Sequence, residues 1–317
     1  MQYIARIILL KYSMKGTRLP INDEEGRSMK KNNRFSFIAV LLIAALVICG
    51  PMNARNAIAP AYAEETASHE ILPAAKAAAQ SLQMAEELES EGIVLLRNEN
   101  GALPLAAGAK VNLFGYASVA PIYGGTGSGA GDTSGNMDVI AGLKNAGLEV
   151  NEQLADFYRN SRVSRIKQSG FSGSDFTPAE VPAASYPESL LADARAFSDT
   201  AVIVISRIGG EGGDLPMNMH AAGYTAEDED RHYLELTQDE EDLLALVKGQ
   251  GYAKVIVLVN ASNVMELGFA EGVDACLWIG SPGTVGFNAV GRVLTGEVNP
   301  SGRLTDTYAY DLMSSPA

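Results

Sequence analysis

Short, largely apolar runs rich in β-branched residues recur along this chain, at 94–96, 111–114, 148–150, 201–205, 255–259 and 275–279. Runs that stay apolar at consecutive positions are the pattern of strands covered on both faces. Segments with helical spacing lie between them, at 137–146, 153–167, 187–197, 237–248 and 284–294. A further helix is read over 74–91, rich in Ala, Leu, Glu and Gln and stopped by Gly92. Thr237, with Glu240 three residues on, is a capping-box start. Strand and helix alternate from 111 to 294. That order predicts an α/β fold: a doubly wound, mostly parallel sheet with helices on both faces, an α/β sandwich of three layers. Two stretches interrupt the alternation. Residues 169–185 are rich in Ser, Pro, Gly and Ala, and 215–230 end in Glu227-Asp228-Glu229-Asp230. Both read as surface excursions.

The first 63 residues have a different character. Lys30, Lys31 and Arg34 precede an apolar run over 37–49, and Ala61-Tyr62-Ala63 follows. A basic start, a short apolar centre and a small-x-small exit are the parts of a secretory signal peptide. Met29, directly before the basic cluster, is read as the start, and cleavage after Ala63 is expected. The alternative is an uncleaved membrane anchor, for which the run is shorter than the ~18–20 apolar residues a spanning helix needs. The expected organisation is a leader over 1–63, a linker over 64–73, one domain over 74–310 and a truncated tail over 311–317. The product is expected to be secreted or at the cell surface.

Over its 317 residues the chain is 47% hydrophobic, enough for one or two globular domains. Setting aside the nine basic and three acidic residues of 1–63 leaves 15 basic against 35 acidic, a formal charge of −20. Such a surface repels nucleic acid and anionic membranes, and it is consistent either with a neutral substrate or simply with the solubility of a secreted acidic protein. Cys276 is the one cysteine outside the leader and lies within an apolar run, where it reads as a small core residue. With His69, His220 and His232 far apart, no metal site is expected and no cofactor is called for.

Two glycine-rich loops carry the candidate chemistry. Residues 124–131 alternate Gly with Thr126, Ser128 and Ala130. This run lacks the Gly-Lys-Ser/Thr ending of a phosphate loop and the spacing of a dinucleotide fingerprint. Nor does Ser128 sit in a nucleophile elbow. What remains is either a flexible turn or a loop, around Gly127, Ser128 and Gly129, whose small residues let a sugar or a partner backbone approach. The second loop, Gly209-Gly210-Glu211-Gly212-Gly213-Asp214, follows the run 201–205 and Ser206-Arg207. Glu211 is either a solvated glutamate or a proton donor whose pKa a sheltered site would raise, with Asp214 its neighbouring competitor. Trp278, at the end of the last apolar run, serves either to stack on a sugar ring or to fill the core.

Taken together, these segments resemble the α/β sandwich domain of family 3 glycoside hydrolases, in its β-glucosidase branch. The matching pieces are Glu91-Gly92-Ile93-Val94-Leu95-Leu96-Arg97-Asn98 with Leu103-Pro104-Leu105, the glycine-rich segment 124–129, Ser206-Arg207 leading to Gly210-Glu211-Gly212, and Gly286 through Gly296-Glu297-Val298-Asn299-Pro300-Ser301-Gly302-Arg303-Leu304. They span about residues 74–310. The resemblance implies hydrolysis of β-glucosides or related oligosaccharides with retention, and Glu211 as general acid/base. It implies a carboxylate nucleophile on a separate TIM-barrel domain, expected downstream in cis or supplied in trans. Gly127, Ser128, Gly129, Arg207 and Asp214 become candidates for binding substrate or supporting the site. The chain departs from the family pattern in two ways. It has no room for a (β/α)₈ barrel of ~250 residues. Leu215 also stands where the family often has an Arg after Glu-Gly-x-Asp, while Asp230-Arg231 comes later and makes Glu229 a remote substitute for Glu211.

Overall fold

Six strands and six α-helices make up the described part of the computed structural model, which covers residues 72–127, 130–165, 178–211, 215, 219 and 228–314. The expected leader lies outside the described residues. In chain order the elements are α1 (Ala74–Gly92), β1 (Val94–Asn98), β2 (Lys110–Phe114), α2 (Val139–Asn145), β3 (Glu149–Val150), α3 (Glu152–Arg159), α4 (Glu188–Phe197), β4 (Thr200–Arg207), α5 (Gln238–Gly249), β5 (Lys254–Ala261), β6 (Ala275–Trp278) and α6 (Phe287–Leu294). The strands form a single sheet in the order β1-β6-β5-β4-β2-β3. All pairings are parallel except that of β1 with β6 at one edge. This is the doubly wound sheet that the alternation predicted.

Period-two alternation in the central strands feeds two cores. Val202, Val204, Ile256, Leu258 and Leu277 face a layer built by α2 and α6. Ala201, Ile203, Ile205, Val257, Val259 and Cys276 face α3, α4 and α5. Every residue of β4 is buried, and each fully buried Val, Leu or Ile contributes ~1.5–3 kcal/mol against exposure. Burial also pushes the Cys276 thiol up to about 12, so it is a core residue with little thiolate character. α1 lies against α6, where the Glu86 carboxylate accepts from Arg292 and Asn288 at 3.0 Å each.

Several boundaries differ from the sequence reading, for local reasons. The helix read over 153–167 stops at Arg159, where the Asn160 side-chain amide donates to the Asp156 carbonyl at 2.8 Å and caps the last turn. α2 starts at Val139 because Asp138 caps it, accepting from the Ala141 N–H at 2.7 Å. The capping box of α5 forms as read, between Thr237 and Glu240. The Asn-Pro-Ser-Gly turn folds back on the start of β1, where the Gly302 N–H donates to the Ile93 carbonyl at 3.1 Å.

The two stretches read as surface excursions are corrected in part. Of 169–185, residues 178–185 are described, and within them Glu180 and Val181 are buried. Of 215–230, Met219 is enclosed with Tyr233, and Ile208, Leu215 and Leu234 pack around them as a small separate core. Apolar side chains scattered through a polar stretch have no periodicity to betray such a cluster.

Candidate active site at the strand-order reversal

The chain passes from β2 outward to β3, then returns across β2 to β4. Strand order therefore reverses between β2 and β4, and loops leaving the carboxyl ends of two such strands part to leave a crevice, the usual ligand position in open α/β sheets. The loop after β2 carries Gly127, and the loop after β4 carries Glu211. The structure brings the two together: Thr126 and Gly210 form an isolated parallel bridge, and the Glu211 N–H donates to the Thr126 carbonyl over a long 3.4 Å. Such an approach needs residues without side chains. A β-carbon on Gly210 would overlap the Thr126 hydroxyl, and one on Gly127 would stand 2.6 Å from Glu211 Cβ.

The loop after β2 is laced across the carboxyl edge of the sheet. Asn260, at the end of β5 and fully buried, accepts from the Ile122 N–H at 2.7 Å and donates to the Ile122 and Gly280 carbonyls at 2.9 and 2.8 Å. The Gly283 N–H reaches the Tyr123 carbonyl, and the Met137 N–H reaches that of Thr284. These attachments frame a groove of about 570 Å³, lined by Tyr123, Thr126, Asp132, Thr133, Asn136 and Arg165 among others. Arg165 donates to the Ser206 hydroxyl at 2.7 Å and stands over the Tyr116 ring. A larger recess of about 620 Å³, between α5 and the turn Gly268–Gly272, shares no residue with this groove.

Arg207 has no side-chain surface to offer a ligand. Its guanidinium is fully enclosed and makes a two-pronged pair with Glu240, at 2.6 Å on each oxygen. It also donates to the carbonyls of Tyr233 and Glu235. The Tyr233 hydroxyl in turn donates to the Ile208 carbonyl at 3.0 Å. Departure and return of the loop bearing Glu211 are thus tied together at its base, four residues before that side chain.

Beneath the β2 end lies a second enclosed carboxyl. Glu180 accepts from the Tyr116 N–H and, at 2.7 Å, from the Val181 N–H. Burial nevertheless pushes its pKa up to about 8, with Glu240 and Asp239 adding repulsion. Beside it the Gly115 N–H donates to the Tyr158 hydroxyl at 2.6 Å, and that hydroxyl shares a 2.6 Å bond with Tyr186. Burial raises both phenol pKa values further.

Among the residues singled out from the sequence, Gly127 and Glu211 meet, while Ser128, Gly129 and Asp214 lie outside the described residues. Glu229 is exposed on the turn that begins the return toward α5. Trp278 packs against the core that faces α3, α4 and α5, and its indole N–H is buried with no partner among the described residues. Glu180 and Asn260 were missed. The one signal for Asn260 was a lone amide at the end of an apolar run, and Glu180 had none beyond being an acid among small residues.

The fold is a doubly wound α/β sandwich with a loop-borne glutamate at its strand-order reversal. The chain belongs to glycosyl hydrolase family 3: residues 93–317 match the model of the glycosyl hydrolase family 3 C-terminal domain. It is 34% identical over 241 residues to a beta-glucosidase of Ruminococcus albus, a match covering 74% of this chain and 24% of that protein. Beta-glucosidase A of Butyrivibrio fibrisolvens is 29% identical over 76% of this chain and 30% of its own length. Among solved structures, beta-glucosidase 3B of Thermotoga neapolitana in complex with alpha-D-glucose superposes with a TM-score of 0.62 at 33% identity, over 75% of this chain and 32% of that one. The chain therefore spans about a quarter to a third of the length of these relatives.

Proposed function

We propose that this chain is the sandwich portion of a retaining, β-glucosidase-type hydrolase of O-glycosyl bonds, with Glu211 as its general acid/base. The observation that carries this reading is the bridge between Thr126 and Gly210, which sets Glu211 at the strand-order reversal beside a polar groove. Glu211 donates its proton to the departing glycosidic oxygen. As a carboxylate it then takes a proton from the water that releases the sugar. The attacking carboxylate must lie ~5 Å away across the sugar, and it comes from a barrel domain downstream in cis or in trans. Export through the leader completes the reading.

Purified residues 64–317 are expected to show little or no turnover of an aryl β-glucoside. Ordinary turnover by that fragment, abolished by Glu211→Gln, would refute the need for a barrel. In a barrel-containing form, Glu211→Gln should lower kcat/KM on a substrate with a poor leaving group by ~10²–10⁴. An unchanged rate there would remove Glu211 from the role and turn attention to Glu229.

A second reading, a non-catalytic carbohydrate- or partner-binding module, is favoured by the hydroxyl, amide and acid side chains of the groove itself. Calorimetric titration with glucose and cellobiose separates the two. Saturable binding without hydrolysis supports the module, and no heat at high sugar concentration counts against it.

A further inference from the structure

We infer that Asn260 is a positioning residue for Glu211, acting through the loop that follows β2. This rests on the acid/base reading of Glu211. Asn260 sits on β5, paired in register with Ser206 of β4, and β4 separates it from β2. Its side chain reaches the loop after β2 and grips one residue twice, since Oδ1 accepts from the Ile122 N–H while Nδ2 donates to the Ile122 carbonyl. Two bonds to one residue fix the orientation of that stretch of backbone as well as its position. The same Nδ2 donates to the Gly280 carbonyl in the loop after β6, which ties the two loops to each other.

Only a neutral amide fits this place. A carboxylate has no donor for the two carbonyls and would bring its charge against them, and an aliphatic side chain would leave three buried backbone groups unpaired.

Three residues separate Ile122 from Thr126, and none lies in a helix or a sheet strand. Their course is therefore set by attachments: Asn260 holds Ile122, and the Gly283 N–H holds Tyr123. At the far end Thr126 bridges Gly210, its carbonyl receives the Glu211 N–H, and Gly127 lies against the Glu211 side chain. The surface on which Glu211 rests is thus anchored to the sheet through Asn260. β5 itself keeps its ladders to β4 and β6 without that side chain.

The test compares Asn260→Asp with Asn112→Asp in the full chain. Asn112 is an equally buried amide that bonds the Ala194 and Ser198 carbonyls and Asn151, none of them in the loop after β2. Amide hydrogen exchange is read at 122–127 and 209–211 and, as reference, along β4 and β5. The Glu211 carboxyl carbon is followed by NMR through a pH titration and assigned by its loss in Glu211→Gln. Asn260→Asp should speed exchange in the two loops by at least about tenfold relative to the β4 and β5 amides, and should displace the Glu211 titration. Asn112→Asp should do neither. Uniform acceleration across the sheet, or an unmoved Glu211 signal with unchanged loop exchange, overturns the inference. Should Asn260→Asp not fold, Asn260→Ser, which loses the double grip without adding charge, carries the same test. Neither readout involves turnover. Failure of the acid/base reading, seen as an unchanged rate for Glu211→Gln in a barrel-containing form, is thereby distinct from failure of this one.

Discussion

Gly127 and Glu211 are packed face to face: a β-carbon built on the glycine would stand 2.6 Å from Glu211 Cβ and 2.9 Å from its Oε2. Two loops far apart in sequence are therefore held in register where one of them has no side chain.

Gly127 also adopts φ +76, a conformation that strains any L-residue. Gly127→Ala should lose ~1–3 kcal/mol and part the loops, seen as faster exchange of the Glu211 amide. Gly108 shares the backbone strain, at φ +71, with open space around it. Gly108→Ala should therefore lose ~1 kcal/mol and leave Glu211 undisturbed. Equal effects of the two substitutions on the Glu211 amide would mean that the contact is idle.

The buried pair of Arg207 and Glu240 should make each partner costly to remove alone. Arg207→Met leaves a carboxylate enclosed, and Glu240→Gln leaves a guanidinium enclosed. Each should lower the urea-derived stability by ~3–5 kcal/mol, and the double replacement should lose less than the sum of the two. Additive losses would show that the pair is not coupled.

Glu180 predicts a pH dependence with a definite sign. Its pKa is about 8 in the fold against 4.5 for the free side chain, so between these values the folded state holds the proton more tightly. Stability from this group is complete below about 4.5 and falls as pH rises through about 8, by a few kcal/mol on the order-of-magnitude scale of linkage. Glu180→Gln keeps an acceptor for the Tyr116 and Val181 N–H groups and should flatten that slope. Parallel stability profiles of the two proteins from pH 4.5 to 8.5 would contradict it.

Thr237→Ala removes the hydroxyl that accepts from the Glu240 N–H at the start of α5. A loss of ~1 kcal/mol in thermal or urea unfolding is expected, with most of it restored in Thr237→Ser. No loss would mean that Glu240 alone secures this helix end.

Strands, helices and their layering were legible because they rest on local patterns. The run 201–205 is apolar at every position, so it had to be covered on both faces, and alternation with helices leaves few sheet topologies. Thr237 and Glu240 announced their helix start for the same local reason. Glu211 and the glycine loop around Gly127 both stood out through their composition and through likeness to a family, whereas their meeting across the crevice did not. That Thr126 would meet Gly210 follows from the reversal of strand order, and an unpaired run of sequence says nothing about which strands lie side by side. The double grip of Asn260 on Ile122 spans 138 residues, and the enclosure of Arg207 by Glu240 spans 33. Sequence alone determined the elements and the candidate acid. Tertiary structure decided what holds that acid, because hydrogen bonds between distant polar groups form only after burial of the apolar faces has brought them together, and they carry no periodicity along the chain.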